Sequence, residues 1–167
     1  MALASKLVAV RNFLFRNAVV VLRRQYYRRV WGMDIGEGVH ISLTTKLDLS
    51  NPKGVHIGAY SCLAFGSVIL THDFINNVHL PVHIGKNCLI GARSVIMPGV
   101  TIGDHCIVGV GSIVMRNVPA HSIVMGNPAR VMEADVDTGR WGQRIKKPVA
   151  QQTQASPADL ATPVLVG

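Results

Sequence analysis

Between residues 35 and 114 an aliphatic side chain recurs at every sixth position. The series runs Ile35, Ile41, Leu47, slips, and resumes as Ile57, Leu63, Ile69. After a second slip it continues as Ile84, Ile90, Ile96, Ile102, Val108 and Val114. Ile, Leu and Val make up 49 of the 167 residues, so twelve positions drawn at random would hold about three or four of them. The residue after the aliphatic is Gly at 36, 58, 85, 91, 103 and 109. The residue two before it is small at Ser61, Ser67, Cys88, Ser94, Cys106 and Ser112. Helical burial repeats every 3.6 residues and strand alternation every two, so neither alone leaves a six-residue signature. A stack of coils does. Each hexad predicts one short strand and one turn, with the aliphatic pointing inward onto its counterparts in the coils above and below. Gly is expected to free the backbone at the corner, and the small residue to fit where the interior narrows. The expected fold class is therefore an all-β solenoid of parallel strands. Counting in eighteens predicts coils near 35–52, 57–74, 84–101 and 102–119, with a partial turn to about 125. The slips predict loops leaving the solenoid around 49–56 and 75–83.

Residues 1–31 follow a different pattern. They carry seven basic side chains (Lys6, Arg11, Arg16, Arg23, Arg24, Arg28, Arg29) and no acid, whereas the rest of the chain is nearly balanced, with ten basic and nine acidic. At 100° per residue Leu7, Leu14, Ala18, Val21 and Leu22 share one side of a helix, and Lys6, Arg16, Arg23 and Arg24 the other, with Arg28 at the border and Arg11 and Arg29 as exceptions among the apolar positions. The apolar stretch 13–22 contains Arg16 and Asn17, so it is too short and too charged to span a bilayer, and it lacks the clean apolar core of a signal peptide. Two roles remain open for this basic amphipathic N-terminal helical segment. It packs on the domain or a partner subunit with its basic face in solvent, or it lies on an anionic membrane surface through residues 1–30. Nucleic-acid binding is not expected, because aromatics do not alternate with the basic residues as base stacking requires.

The remaining segments are a repeat domain over 32–132, a mixed-charge connector over 133–147 that holds Trp141, and a tail over 148–167. The tail is rich in Ala, Gln, Pro and Thr, with Asp159 as its only charge, and is expected to be mobile. Three cysteines without CxxC spacing argue against a disulfide framework or a thiolate zinc site, so the cytoplasm is the default compartment. Cys88 and Cys106 are three hexads apart, hence stacked in adjacent coils as small core residues, and Cys62 is read the same way.

Chemistry concentrates at the second loop. Ile69-Leu70-Thr71-His72-Asp73-Phe74 closes a coil, residues 75–83 protrude, and the repeat resumes at Ile84. A His where a rigid coil meets a protruding loop is placed to act as a general base, since imidazole exchanges protons near neutrality. Asp73 is read as a turn former. Asn76, Asn77 and His79, in the loop, are candidates for holding an acceptor. His40, His56, His105 and His121 are read as satisfied surface residues.

Around this His the chain resembles the hexapeptide-repeat acyltransferases, in their sugar and polysaccharide O-acetyltransferase branch. The resemblance rests on Thr71-His72-Asp73, Pro81-Val82-His83-Ile84-Gly85-Lys86-Asn87, Ile90-Gly91-Ala92, Pro98-Gly99-Val100-Thr101-Ile102-Gly103, Val108-Gly109-Val110-Gly111-Ser112, Val118-Pro119 and Gly126-Asn127-Pro128-Ala129-Arg130-Val131. It covers about residues 35–132. Met115, Leu89 and Glu133 depart from the family pattern. The resemblance implies a left-handed parallel β-helix with three hexads per coil, assembled as a homotrimer, and acetyl transfer from acetyl-CoA to a sugar or polysaccharide precursor. It implies that His72 deprotonates the acceptor, which attacks the thioester directly. By the same analogy the cofactor lies between two solenoids, with backbone groups near Ala92 and Val110 along the pantetheine arm and an Ala92 N–H toward the oxyanion. Arg116 and Arg130 match positions near the nucleotide end, and no metal is expected. Three other functions stay open: N-acetyl transfer to an amino sugar, a zinc hydratase of the γ-carbonic-anhydrase type, and a non-catalytic scaffold on the same solenoid.

Overall fold

The computed structural model describes residues 18–145. Helix α1 covers 18–29. A first coil then holds β1 (Asp34–Ile35), β2 (His40–Ile41) and β3 (Lys46–Leu47), and a second holds β4 (Val55–Ile57), β5 (Cys62–Leu63) and β6 (Val68–Ile69). A hairpin of β7 (His72–Asp73) and β8 (Val78–His79) intervenes. The third coil holds β9 (Val82–Ile84), β10 (Leu89–Ile90) and β11 (Val95–Ile96). The fourth holds β12 (Thr101–Ile102), β13 (Ile107–Val108) and β14 (Ile113–Val114). Finally β15 (Ile123–Gly126) starts a fifth coil and folds back antiparallel to β16 (Ala129–Glu133).

Pairing assigns each coil's three strands to three different sheets. One is β1-β4-β9-β12, the second runs from β2 through β5, β10 and β13 to β15 and β16, and the third is β3-β6-β11-β14. We call these the A, B and C faces. Within the coils every pairing is parallel and brings repeat position onto repeat position: Ile35 onto Ile57, Ile57 onto Ile84, Ile84 onto Ile102. The chain thus visits A, B and C in rotation, an order that fits a parallel β-helix. Ile84 and Ile102 are one plain coil apart in sequence, whereas the two earlier pairs straddle the slips and lie farther apart. Both loops therefore lengthen the chain between partners without disturbing register. All twelve repeat aliphatics are buried, none more than 6% exposed. Each buried Ile or Leu contributes about 1.5–3 kcal/mol relative to exposure.

The glycines after the aliphatics serve a purpose other than the one expected. None of the six has a left-handed φ. Instead the coils stack so closely that a Cβ has no room: on Gly58 it would lie 2.5 Å from the carbonyl carbon of Gly85, and on Gly85 2.6 Å from that of Gly103. The left-handed turn positions fall two residues later, at Gly38, Tyr60, Asn87, Arg93, His105 and Gly111, with φ between 54° and 68°, and His121 takes the same place after Pro119 with φ 59°. The small residues do fill the narrow corners. Ser61, Ser67, Ser94 and Ser112 are fully buried, and the Ser61 hydroxyl donates to the Gly85 carbonyl at 2.7 Å. Cys88 and Cys106 are buried in the same way, each thiol 3.1 Å from a carbonyl oxygen, of Gly103 and Pro119 respectively. Cys62 differs: it faces outward on the B face between His40 and Leu89, half-buried, and burial pushes its thiol pKa up.

The described connector residues form an extended strap over the A–B corner. Val136 N–H donates to the His121 carbonyl, the Thr138 carbonyl meets His105 Nδ1 at 2.8 Å, and the Thr138 hydroxyl donates to the Asn87 carbonyl at 2.6 Å. Trp141 N–H then reaches the Tyr60 carbonyl and its Nε1 the Gly38 carbonyl at 2.8 Å. The strap therefore bonds to the same corner of all five coils, from last to first.

At the first-coil end of the stack, Tyr27 and Trp31 pack against the core. Arg23 donates to the carbonyls of Ser42 and Thr45 at 3.0 and 2.9 Å. The basic side of α1 is thus partly turned toward the coil: Arg23 and Arg24 are half-buried, while Ala18, Val21 and Leu22 are exposed. Arg23 and Arg24 depart from the expected solvated basic face, whereas Arg28 and Arg29 keep to it. The expectations for residues 1–17 and for the 148–167 tail lie outside the described residues.

Candidate active site

His72 leaves the C face immediately after β6, at the root of the β7–β8 hairpin. That root is held by the first loop. Asp48 Oδ2 accepts the backbone N–H groups of Thr71 and His72, both at 3.0 Å, and Asn51 exchanges two hydrogen bonds with Thr71. Partial burial acts to raise the Asp48 carboxyl pKa, but the Ser50 hydroxyl and the N–H groups of Thr71, Ser50 and His72 outweigh it and hold it below the ordinary value. A carboxylate pinned by several donors is a stiff anchor. Asp48 and Asn51 were not singled out from the sequence, where neither belongs to a motif.

The imidazole of His72 is half-buried and lies edge-on to that of His79, centroids 4.8 Å apart, with Phe74 6.0 Å away on the same hairpin. Among the described residues neither ring nitrogen has a hydrogen-bond partner, so the ring is available to an outside group. Asp73 turns away from it. Its carboxylate accepts from Ile75 N–H, Asn76 N–H and the Asn76 amide. The Asn76 contact is the main reason its pKa lies below the usual value. The turn role read for Asp73 is what the hairpin uses. Of the candidate acceptor residues, Asn76 is engaged with Asp73, Asn77 sits at the tip with φ 52°, and His79 pairs directly across from His72.

Ala92 and Val110 occupy equivalent turns where the B face passes to the C face, one coil apart, and the Gly111 N–H donates to the Ala92 carbonyl at 2.9 Å. Val110 is 75% exposed and Ala92 is buried. In a single copy His72 therefore stands where the C face ends and Ala92 where it begins. Arg116 and Arg130, well separated along the chain, come together around a cavity of ≈ 280 Å³ that Met115, Pro128 and Ala129 also line. The other His residues have partners of their own, as expected: His56 Nδ1 lies 3.3 Å from the Asp34 carboxylate, and His121 Nδ1 lies 3.0 Å from that of Asp137. His40 packs edge-on to Trp141, and His105 meets Thr138.

Comparison with known proteins agrees with this architecture. Residues 81–116 match the hexapeptide repeat of succinyl-transferase. YvoF of Bacillus subtilis, an acetyltransferase by name, is 29% identical over 128 residues, 75% of this chain and 73% of that protein. Two further curated relatives are 43% and 40% identical over 55% and 60% of their own lengths, so the chain spans only part of them. A maltose O-acetyltransferase from Clostridium difficile 630 superposes with a TM-score of 0.53 at 26% identity, over 67% of this chain and 74% of that one. The VCA0836 acetyltransferase of Vibrio cholerae, solved with acetyl coenzyme A, superposes with a TM-score of 0.52 at 22% identity, over 68% and 76%. With the hexad register, the tightly stacked coils and the His-bearing hairpin in place, the chain carries the hexapeptide repeat and is similar to acetyltransferases built on it.

Proposed function

We propose that the chain is an acetyl-CoA-dependent O-acetyltransferase acting on a sugar or polysaccharide precursor, a left-handed parallel β-helix working as a homotrimer. The observation that carries this reading is the imidazole of His72, fixed at its backbone by Asp48 and with both ring nitrogens unclaimed among the described residues. One ring nitrogen takes the proton of the acceptor hydroxyl, whose oxygen attacks the thioester carbonyl. The tetrahedral oxyanion faces the Ala92 N–H. Its collapse breaks the C–S bond, and the imidazolium returns its proton to the departing thiolate. No covalent enzyme intermediate forms.

The spread of the parts supports an assembly of copies. His72 and the Ala92–Val110 turns flank opposite margins of the C face, so a neighbouring copy is needed to close a pocket around both. The hairpin that would meet that neighbour has an apolar surface: Phe74 is 87% and Ile75 93% exposed. Val110 is open to the pantetheine arm, and the Arg116–Arg130 cavity gives cations to the phosphates of the nucleotide end. Asn76, Asn77 and His79 lie where an acceptor sugar approaches His72.

The test is acetyl transfer by His72→Ala with a panel of sugar and amino-sugar acceptors. We expect kcat to fall by about 10²–10⁴-fold, the usual contribution of a general base, with thermal stability and donor KM preserved. Near-normal transfer by an intact His72→Ala protein refutes the assignment. Preference for amine acceptors moves the reading to N-acetylation.

A further inference from the structure

Helix α1 leaves an apolar stripe bare. Leu22 and Tyr26 on its outer side and Val30 just past its last turn follow one another at intervals of four residues, 68%, 50% and 64% exposed. The stripe spans about 12 Å at 1.5 Å per residue. The inner side of the helix is already committed: Arg23 is tied to the Ser42 and Thr45 carbonyls, and Tyr27 and Trp31 pack on the core. The helix therefore cannot roll to bury its outer residues without giving up these contacts.

Charge indicates what covers the stripe. Arg28 and Arg29 are exposed at the end of the helix, and Lys53 lies against Gly32, just beyond it. Residues 1–31 contain no acid, and the nearest carboxylate in sequence, Asp34, lies 3.3 Å from His56. A second copy docking through this face about a two-fold axis would set the same arginines against each other with no acid on either helix. An anionic lipid surface suits both features. Leu22 and Val30 enter the acyl boundary, Tyr26 sits at the headgroup level, and the Arg and Lys side chains extend to the lipid phosphates.

We propose that the outer face of α1, centred on Leu22, Tyr26 and Val30, docks the protein on an anionic bilayer. The face is the reverse of the one that sequence amphipathicity marks as basic, because Arg23 is spent on the first coil. Among the described residues no helix is long and apolar enough to cross a membrane. The contact does not depend on the acceptor or on acetyl transfer.

The experiment is co-sedimentation of the full chain with vesicles of equal parts phosphatidylglycerol and phosphatidylcholine, against phosphatidylcholine alone. Wild type should sediment with the anionic vesicles, less so at high salt. Leu22→Asp combined with Tyr26→Asp should weaken binding by at least about tenfold, and Arg28→Glu combined with Arg29→Glu by a similar factor. Circular dichroism and light scattering accompany each variant. Absence of binding by wild type, or equal binding by a folded Leu22→Asp/Tyr26→Asp variant, overturns the proposal. So does a change of oligomeric state in that variant with vesicle binding intact, which would make the face a contact between copies.

Discussion

Asp48 connects the first loop to the only imidazole with a proposed catalytic task, and replacing it by Ala should damage stability and rate together. The carboxylate receives four hydrogen bonds: Oδ2 from Thr71 and His72 N–H at 3.0 Å each, and Oδ1 from the Ser50 N–H at 2.9 Å and hydroxyl at 2.5 Å. Ser50 and His72 reach solvent and can pair with water, so losing them costs little. Thr71 is fully buried, and its stranded N–H should cost about 1–3 kcal/mol. We take about 2 kcal/mol as the expected loss, which lowers Tm by about 4–8 °C in a chain of this size. With its backbone released, His72 drifts, and a displacement of about 1 Å at a reacting group can cost about 100-fold in rate. Asp48→Ala should therefore lose about 10- to 100-fold in kcat, measured well below its Tm, with donor KM unchanged. Asp48→Asn keeps one oxygen for the two amides while presenting an NH2 group to Ser50, and should fall between. The pH dependence has a definite sign. Since the folded carboxyl pKa lies below its unfolded value, the stabilisation is complete above about pH 4–5 and fades as pH falls through the folded value. The gap between wild type and Asp48→Ala should thus be constant near neutrality and close in acid. An Asp48→Ala protein with unchanged Tm and a kcat within about twofold of wild type refutes this account of the hairpin root.

Gly85→Ala should destabilise by about 1–3 kcal/mol in urea titration, because the new methyl would lie 2.6 Å from the Asp104 backbone nitrogen and the Gly103 carbonyl carbon. Trp141→Ala should cost about 2–3 kcal/mol, through the lost bond to Gly38 and the lost contact with the Arg140 guanidinium 4.4 Å above the ring. It should also speed proteolytic cleavage within 136–145 and leave acetyl transfer unchanged. Reversing both cavity cations, Arg116→Glu with Arg130→Glu, should raise KM for acetyl-CoA by about tenfold or more while kcat and acceptor KM hold. A donor KM unaffected by the double reversal would remove these arginines from the cofactor site.

What the sequence made legible were features repeated many times. Twelve aliphatics at a fixed period declared the stack, and the breaks in that period located both loops, although the second, expected over 75–83, is a hairpin that begins at His72 and ends at His79. The glycine positions were legible but their cause was not, since the crowding at Gly58 and Gly85 comes from the neighbouring coil and is invisible along one strand. The left-handed turns at Tyr60, Asn87, His105 and His121 carry no glycine to mark them. Asp48 lies more than a full coil before His72 in sequence and meets it only through a backbone N–H, a contact that any residue at 72 would offer. The orientation of α1 is hidden for a related reason. Amphipathicity names two faces, and Arg23 chose between them by bonding to two carbonyls that no side-chain pattern records.

A stack in which each coil touches only its neighbours ordinarily melts from its ends, one layer at a time. The strap over the A–B corner changes that. The hydrogen bonds of Val136, Thr138 and Trp141 run from the last coil to the first, so the fifth coil can peel away only by also giving up Val136 and the first only by also giving up Trp141. Fraying, normally the easiest excursion of a repeat protein, becomes harder at both ends, and amide exchange in the first and fifth coils should be slower in wild type than in Trp141→Ala.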